Sequence, residues 1–164
     1  MKSDISISPV AEQFQNELEM RFISDTVYVA AVRKLVEHIA AHRGFAEQAV
    51  TEIGLCLNEA VANIIRHAYS GATQKPIRIT VEFAEKTSAT AGANATRSIR
   101  IVLRDWGTGL YPQANAIARH DPLQPGGLGL ICLKTLMDEV IYTPQPDGMI
   151  LTLVKRTAGS DVNL

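Results

Sequence analysis

Cysteine is scarce in this chain. Only Cys56 and Cys132 occur, too few for a disulfide framework. Both fall in apolar, helical-looking segments, where free thiols are expected to be buried and to suit a reducing cytoplasm. Long apolar runs are missing too: none approaches the roughly 20 residues of a membrane span. The opening MKSDISISPV is polar and lacks the apolar stretch of a signal peptide. Neither charge dominates, since 16 Lys plus Arg face 17 Asp plus Glu, so overall charge does not point to nucleic acid. The expectation is a cytoplasmic protein with no membrane segment and no direct nucleic-acid partner. With 164 residues, 46% of them apolar, the chain suits one packed domain rather than two.

Periodicity outlines that domain. A first strand is expected around Leu18–Ile23, then a helix from Asp25 to Arg43 with Val29, Val32, Val36 and Ile39 on one stripe and Gly44 ending it. A second helix runs from Ala46 to Tyr69. PIRITVEF alternates Ile77, Ile79, Val81 and Phe83, as a strand does, and residues 85–98 read as an exposed hairpin connection. IRIVLRDW returns as a strand through Leu103. A third helix is expected over 128–138, and Val140–Tyr142 and Met149–Val154 close the sheet around PQPDG. The pattern predicts an α+β, two-layer sandwich in which helices cover one face of a mixed, largely antiparallel sheet. The domain is expected over 17–156, with tails at 1–16 and 157–164.

Within the second helix, Glu59, Asn63 and His67 lie four apart and form a slanting polar track. Leu57, Val61, Ile64 and Ala68 supply the apolar stripe beside it. A carboxylate next to a core is costly without a partner or a task, and Asn is an indifferent helix former. Either the track faces water, or it serves a site.

Two glycine clusters follow. Asp105-Trp106-Gly107-Thr108-Gly109 ends a strand, where Asp can accept a hydrogen bond from an exocyclic amine and glycines let a flat ring approach. Gly126-Gly127-Leu128-Gly129-Leu130 precedes a helix, where free N–H groups and the helix dipole favour phosphate. Each alone is also compatible with an ordinary turn. There is no Walker A lysine and no dinucleotide fingerprint. In their order, however, acid and amide, Asp and glycines, and glycines before a helix supply a magnesium ligand, a base reader and a phosphate turn. One nucleotide would use all three.

That combination resembles the Bergerat-fold ATPase superfamily, which includes gyrase B, histidine kinases and MutL. Within it the chain is most similar to the anti-sigma-factor serine kinases of bacterial partner switching. The stretch Leu57–Tyr69 resembles their asparagine box, Asp105–Gly109 and Gly126–Leu130 their glycine boxes, and Leu136–Val140 a continuation typical of the subgroup. The likeness covers about residues 17–156. It implies ATP and Mg²⁺ as cofactors, Glu59 as general base, Asn63 as the Mg²⁺ ligand and Asp105 as the reader of the adenine amine. Gly107 and Gly109 would shape the base pocket. Gly126, Gly127, Leu128, Gly129 and Leu130 would form the phosphate turn, with Tyr111–Pro125 as lid. The implied substrate is a serine or threonine of a STAS-type antagonist, the implied second partner a sigma factor, and the implied assembly a homodimer.

Two positions depart from the family pattern. Ile150 stands where relatives carry an adenine-assisting Thr, with Thr152 nearby, and Leu128 replaces a common basic residue. They favour a rival reading, an ATP-binding switch that transfers phosphate weakly. A further alternative is a kinase of a STAS protein in a pathway without sigma. A detached histidine-kinase catalytic domain is disfavoured, because no helix with a phosphoacceptor histidine precedes the boxes. His38 and His42 have chelating spacing but no HExxH signature or third ligand, so they are expected to face solvent.

Overall fold

The computed structural model describes residues 12–86, 96–108 and 128–158. The expected lid, Gly109, Gly126, Gly127 and most of the 85–98 connection lie outside these residues. In chain order the elements are β1 (Gln15–Ile23), α1 (Thr26–His42), α2 (Glu47–Asn63), a π-helical turn (Ile64–Ala68), β2 (Pro76–Lys86), β3 (Thr96–Asp105), α3 (Leu128–Leu136), β4 (Glu139–Gln145) and β5 (Gly148–Ala158). They form the expected two-layer α+β sandwich. The sheet order is β1-β2-β3-β5-β4, and all four pairings are antiparallel, so the described strands correct the expected mixed sheet to an antiparallel one.

Alternation along the strands builds the core. Ile77, Ile79, Val81 and Phe83 of β2 are buried, as are Ile99, Ile101 and Leu103 of β3 and Leu151 and Leu153 of β5. The register aligns them, Ile79 with Leu103 and Leu103 with Leu151, so a continuous apolar face meets the helices. The last residue of that face on β3 is Asp105, paired with Ile77 on one side and Met149 on the other. The core face therefore ends in a carboxylate.

Helix α2 is the central rod, packed against both α1 and α3. It buries Ile53, Cys56, Leu57, Ala60 and Val61, and each large aliphatic side chain so placed contributes about 1.5–3 kcal/mol. Helix α1 starts where expected because Asp25 caps it, its carboxylate accepting from Val27 N at 3.0 Å. Lys155 of β5 crosses the layers, donating to Leu136 O at 2.7 Å and pairing with Glu52 of α2 at 2.6 Å. Both cysteines are free thiols between α2 and α3, Cys56 buried and Cys132 half-buried. His38 and His42 are exposed.

The strands run further than the pattern predicts. β1 begins at Gln15 and β5 reaches Ala158. These ends are exposed or carry polar residues, so burial leaves no period-two signature there. The chain before β1 lies on the sheet's outer face: Glu12 accepts from Ser98 Oγ at 2.9 Å and from Arg156, and Arg100 stacks over the Phe14 ring at 4.1 Å. Among the described residues, no helix is long and apolar enough to cross a membrane.

Candidate functional site

Glu59 and Asn63 sit one turn apart near the C-terminal end of α2, both half-buried. The start of α3 is brought against them. A Cβ built on Gly129 would lie 2.6 Å from Glu59 Oε2 and 3.5 Å from Asn63 Nδ2. Glycine here lets the Glu59 carboxylate lie against the first turn of α3, where any side chain would displace it. The flank of the first turn of α3 thus faces one carboxylate and one amide. Leu130, the next residue, is half-buried, and Leu128 opens the helix.

The other end of the site lies about 7 Å further along the same rod, past the π turn. Asp105 is 2% exposed, and its Oδ1 accepts from Gly107 N at 2.9 Å. Gly107 itself packs onto the end of the π turn, where a Cβ would collide with the Ala68 carbonyl. Tyr69, the next residue, fixes the contact: its hydroxyl accepts from Trp106 N at 2.8 Å and donates to Pro76 O. Burial holds the Tyr69 hydroxyl above its usual pKa, so it stays protonated and keeps both bonds.

Two arginines complete the arrangement, and neither was expected from the sequence. Arg104 is 7% exposed although it lies on the outer face of β3. It donates to the carbonyls of Asp105 and Met149, pairs with Asp147 in the β4–β5 turn, and stacks on the Trp106 ring at 4.9 Å. It therefore fastens the backbone that carries Asp105 to the neighbouring turn. Arg66 lies in the π turn. Its Nη2 donates to Asn63 Oδ1 at 3.2 Å and stands 3.7 Å from Glu59 Oε2. The available signals were Arg66 at i+3 from Asn63 and i+7 from Glu59, and an arginine immediately before Asp105.

His67, the third member of the sequence track, is exposed. Alternation also decides what stands beside Asp105. Ile150 pairs with Arg104 and Thr152 with Val102, both on the face away from the helices, whereas Met149 is buried as the partner of Asp105. The expected comparison of Ile150 with an adenine-assisting Thr is thus corrected. Adjacent strand residues point to opposite faces, and Met149 occupies the relevant one.

Among the described residues, no group of three or more His, Cys, Asp or Glu side chains is arranged to hold a metal. The oxygens of Asn63 and Glu59 are hard donors suited to a magnesium ion shared with phosphates.

The chain is similar to known proteins over most of its length. It is 25% identical to the serine-protein kinase RsbW of Bacillus subtilis over 146 residues, covering 89% of each chain. It is 29% identical to the serine-protein kinase RsbW of Listeria monocytogenes over 129 residues, 76% of this chain and 78% of that one. A solved structure, the histidine kinase domain from Erythrobacter litoralis EL346 blue-light activated histidine kinase, matches with a TM-score of 0.45 and 16% identity, over 79% of this chain and 59% of that chain. The family described as histidine kinase-like ATPase domain matches residues 22–155. The chain belongs to that family.

Proposed function

We propose that this protein is an ATP-dependent serine/threonine-protein kinase whose substrate is a STAS-type antagonist, and that it inhibits a sigma factor when free of that antagonist. The observation that carries the reading is the approach of Gly129, at the start of α3, to Glu59 and Asn63. A terminal phosphate at the start of that helix would lie beside both a base and the Asn63 amide. The similarity to bacterial serine-protein kinases supports the same chemistry.

In this reading Asp105 accepts a hydrogen bond from the adenine amine, with Met149 and the Gly107 backbone beside the ring. The α3 amides, together with Gly126 and Gly127, hold the phosphates. Asn63 would hold Mg²⁺, which would supply neutralisation of charge on the transferring group. Glu59 orients the substrate hydroxyl and takes its proton. The hydroxyl oxygen bonds to the γ-phosphorus as the bond to the β–γ bridging oxygen breaks, leaving ADP and a phosphoserine or phosphothreonine. The new dianion would then break the interface with the kinase by charge and desolvation, freeing it for sigma.

One observation favours a weaker enzyme. Met149, rather than a hydroxyl, stands beside Asp105, which fits a nucleotide-binding switch with slow transfer. The deciding experiment is transfer of labelled γ-phosphate from ATP to STAS-domain proteins of the same genome, with wild type and Glu59→Ala compared. Magnesium-dependent labelling of one partner should fall by roughly 10²–10⁴-fold in the variant while nucleotide binding persists. ATP binding without labelling of any STAS protein would select the switch. Absence of ATP binding would refute both.

A further inference from the structure

The mechanism above leaves one side chain unexplained. Arg66 places a single nitrogen, Nη2, on both functional oxygens, 3.2 Å from Asn63 Oδ1 and 3.7 Å from Glu59 Oε2. Its Nε is anchored on Ala62 O at 3.3 Å. Long helical side chains lean toward the N-terminus, which is why a residue at i+7 from Glu59 reaches back over both groups. A guanidinium keeps its charge at any physiological pH, so this contact is a permanent cation on the site.

That cation stands where the metal must act. A magnesium ligand lies about 2.1 Å from its ion, so with Nη2 3.2 Å from the same oxygen the two cations would be at most about 5 Å apart. The arginine is also easy to move. Its side chain is 50% exposed, and an exposed pair of this kind is weak.

Resting on the reading of Asn63 as the metal ligand, we propose that Arg66 is an internal cation that holds Glu59 and Asn63 until magnesium–nucleotide displaces it, and thereby sets the metal requirement of the site. Without metal it keeps the carboxylate paired and gives phosphates a partial substitute for the divalent charge. With metal it swings outward from its exposed position. With metal bound Arg66 acts only through Glu59 and Asn63, and without metal it is itself a charge partner of the phosphates.

The test titrates Mg²⁺ against binding of a fluorescent ATP analogue by the full chain, as wild type, Arg66→Ala, Arg66→Gln and Arg66→Lys. The neutral variants should reach half-saturation at a Mg²⁺ concentration roughly three- to tenfold lower than wild type, while Arg66→Lys stays near it. In chelator, the neutral variants should bind the analogue more weakly than wild type. Equal half-saturating Mg²⁺ within about twofold, or a higher requirement in the neutral variants, overturns the proposal. If wild type fails to bind the analogue with Mg²⁺ present, the nucleotide reading falls and takes this one with it. If it binds and only the metal dependences coincide, Arg66 alone is refuted. The two glutamine and alanine variants guard against loss of fold, and a melting curve for each separates that outcome.

Discussion

A methyl group at position 129 would press on the carboxylate of Glu59, the free end of a flexible side chain, and not on backbone. Gly129→Ala should therefore turn Glu59 aside and leave the fold intact. Alanine even favours the helix by about 1 kcal/mol over glycine. The expected result is an unchanged or raised melting temperature together with phosphotransfer reduced by roughly 10²-fold. Parallel melting and transfer assays check this, and a variant that loses both would make Gly129 merely structural. Glu59, Asn63 and Gly129 were legible because helical spacing and a glycine cluster at a helix start fix where such residues stand. Arg66 and Arg104 were not. Helix spacing places Cβ atoms but not the tip of a long side chain, and strand alternation assigned Arg104 to an exposed face that the Trp106 ring and the Asp147 turn in fact cover. The thiols show a similar limit. Burial pushes Cys56 up to about 12 and Cys132 upward, so apolar surroundings foretold inert thiols but not that the two would meet between helices.

At the level of elements, α2 with its π turn positions both halves of the site, while α1 only supports α2 from the side. The two roles can be separated. Removing the cap with Asp25→Ala should lower stability by about 1 kcal/mol, read by urea unfolding, without changing nucleotide affinity. A matching loss of affinity would mean that α1 shapes the site directly. The helices were readable from their stripes to within a few residues. The π turn was not: one continuous apolar pattern ran through 46–69, and a widened turn leaves no periodic trace over five residues. β1 was foreshortened for a different reason. It is an edge strand whose first residues are exposed, so only Leu18, Met20 and Phe22 carry the core-facing signal.

Across the whole molecule, the chain preceding β1 is tied to the far edge of the sheet through Arg156, which joins Glu12 to Glu139. The hydrogen bond from Arg156 holds the Glu12 carboxyl below its ordinary value of 4.5. A depressed folded-state value means that this contribution to stability is complete above about 4.5 and is lost as pH falls through the folded value. Wild type should melt higher than Glu12→Gln at neutral pH, and the gap should close on acidification below 4.5. A gap independent of pH would assign the contact to packing. The two-layer architecture was legible as a whole because each strand and helix carried its own apolar period. The antiparallel order then follows from two hairpins, β2–β3 and β4–β5, joined along β3 and β5. That seam has a consequence for how the molecule forms. Each hairpin closes over a short loop, whereas β3 meets β5 only after a loop of some forty residues is closed, the slower kind of contact. Asp105 and Met149 face each other at the end of this late junction. The pocket proposed for the base thus forms only when the two hairpins meet, and a base seated there would bind them into one native sheet.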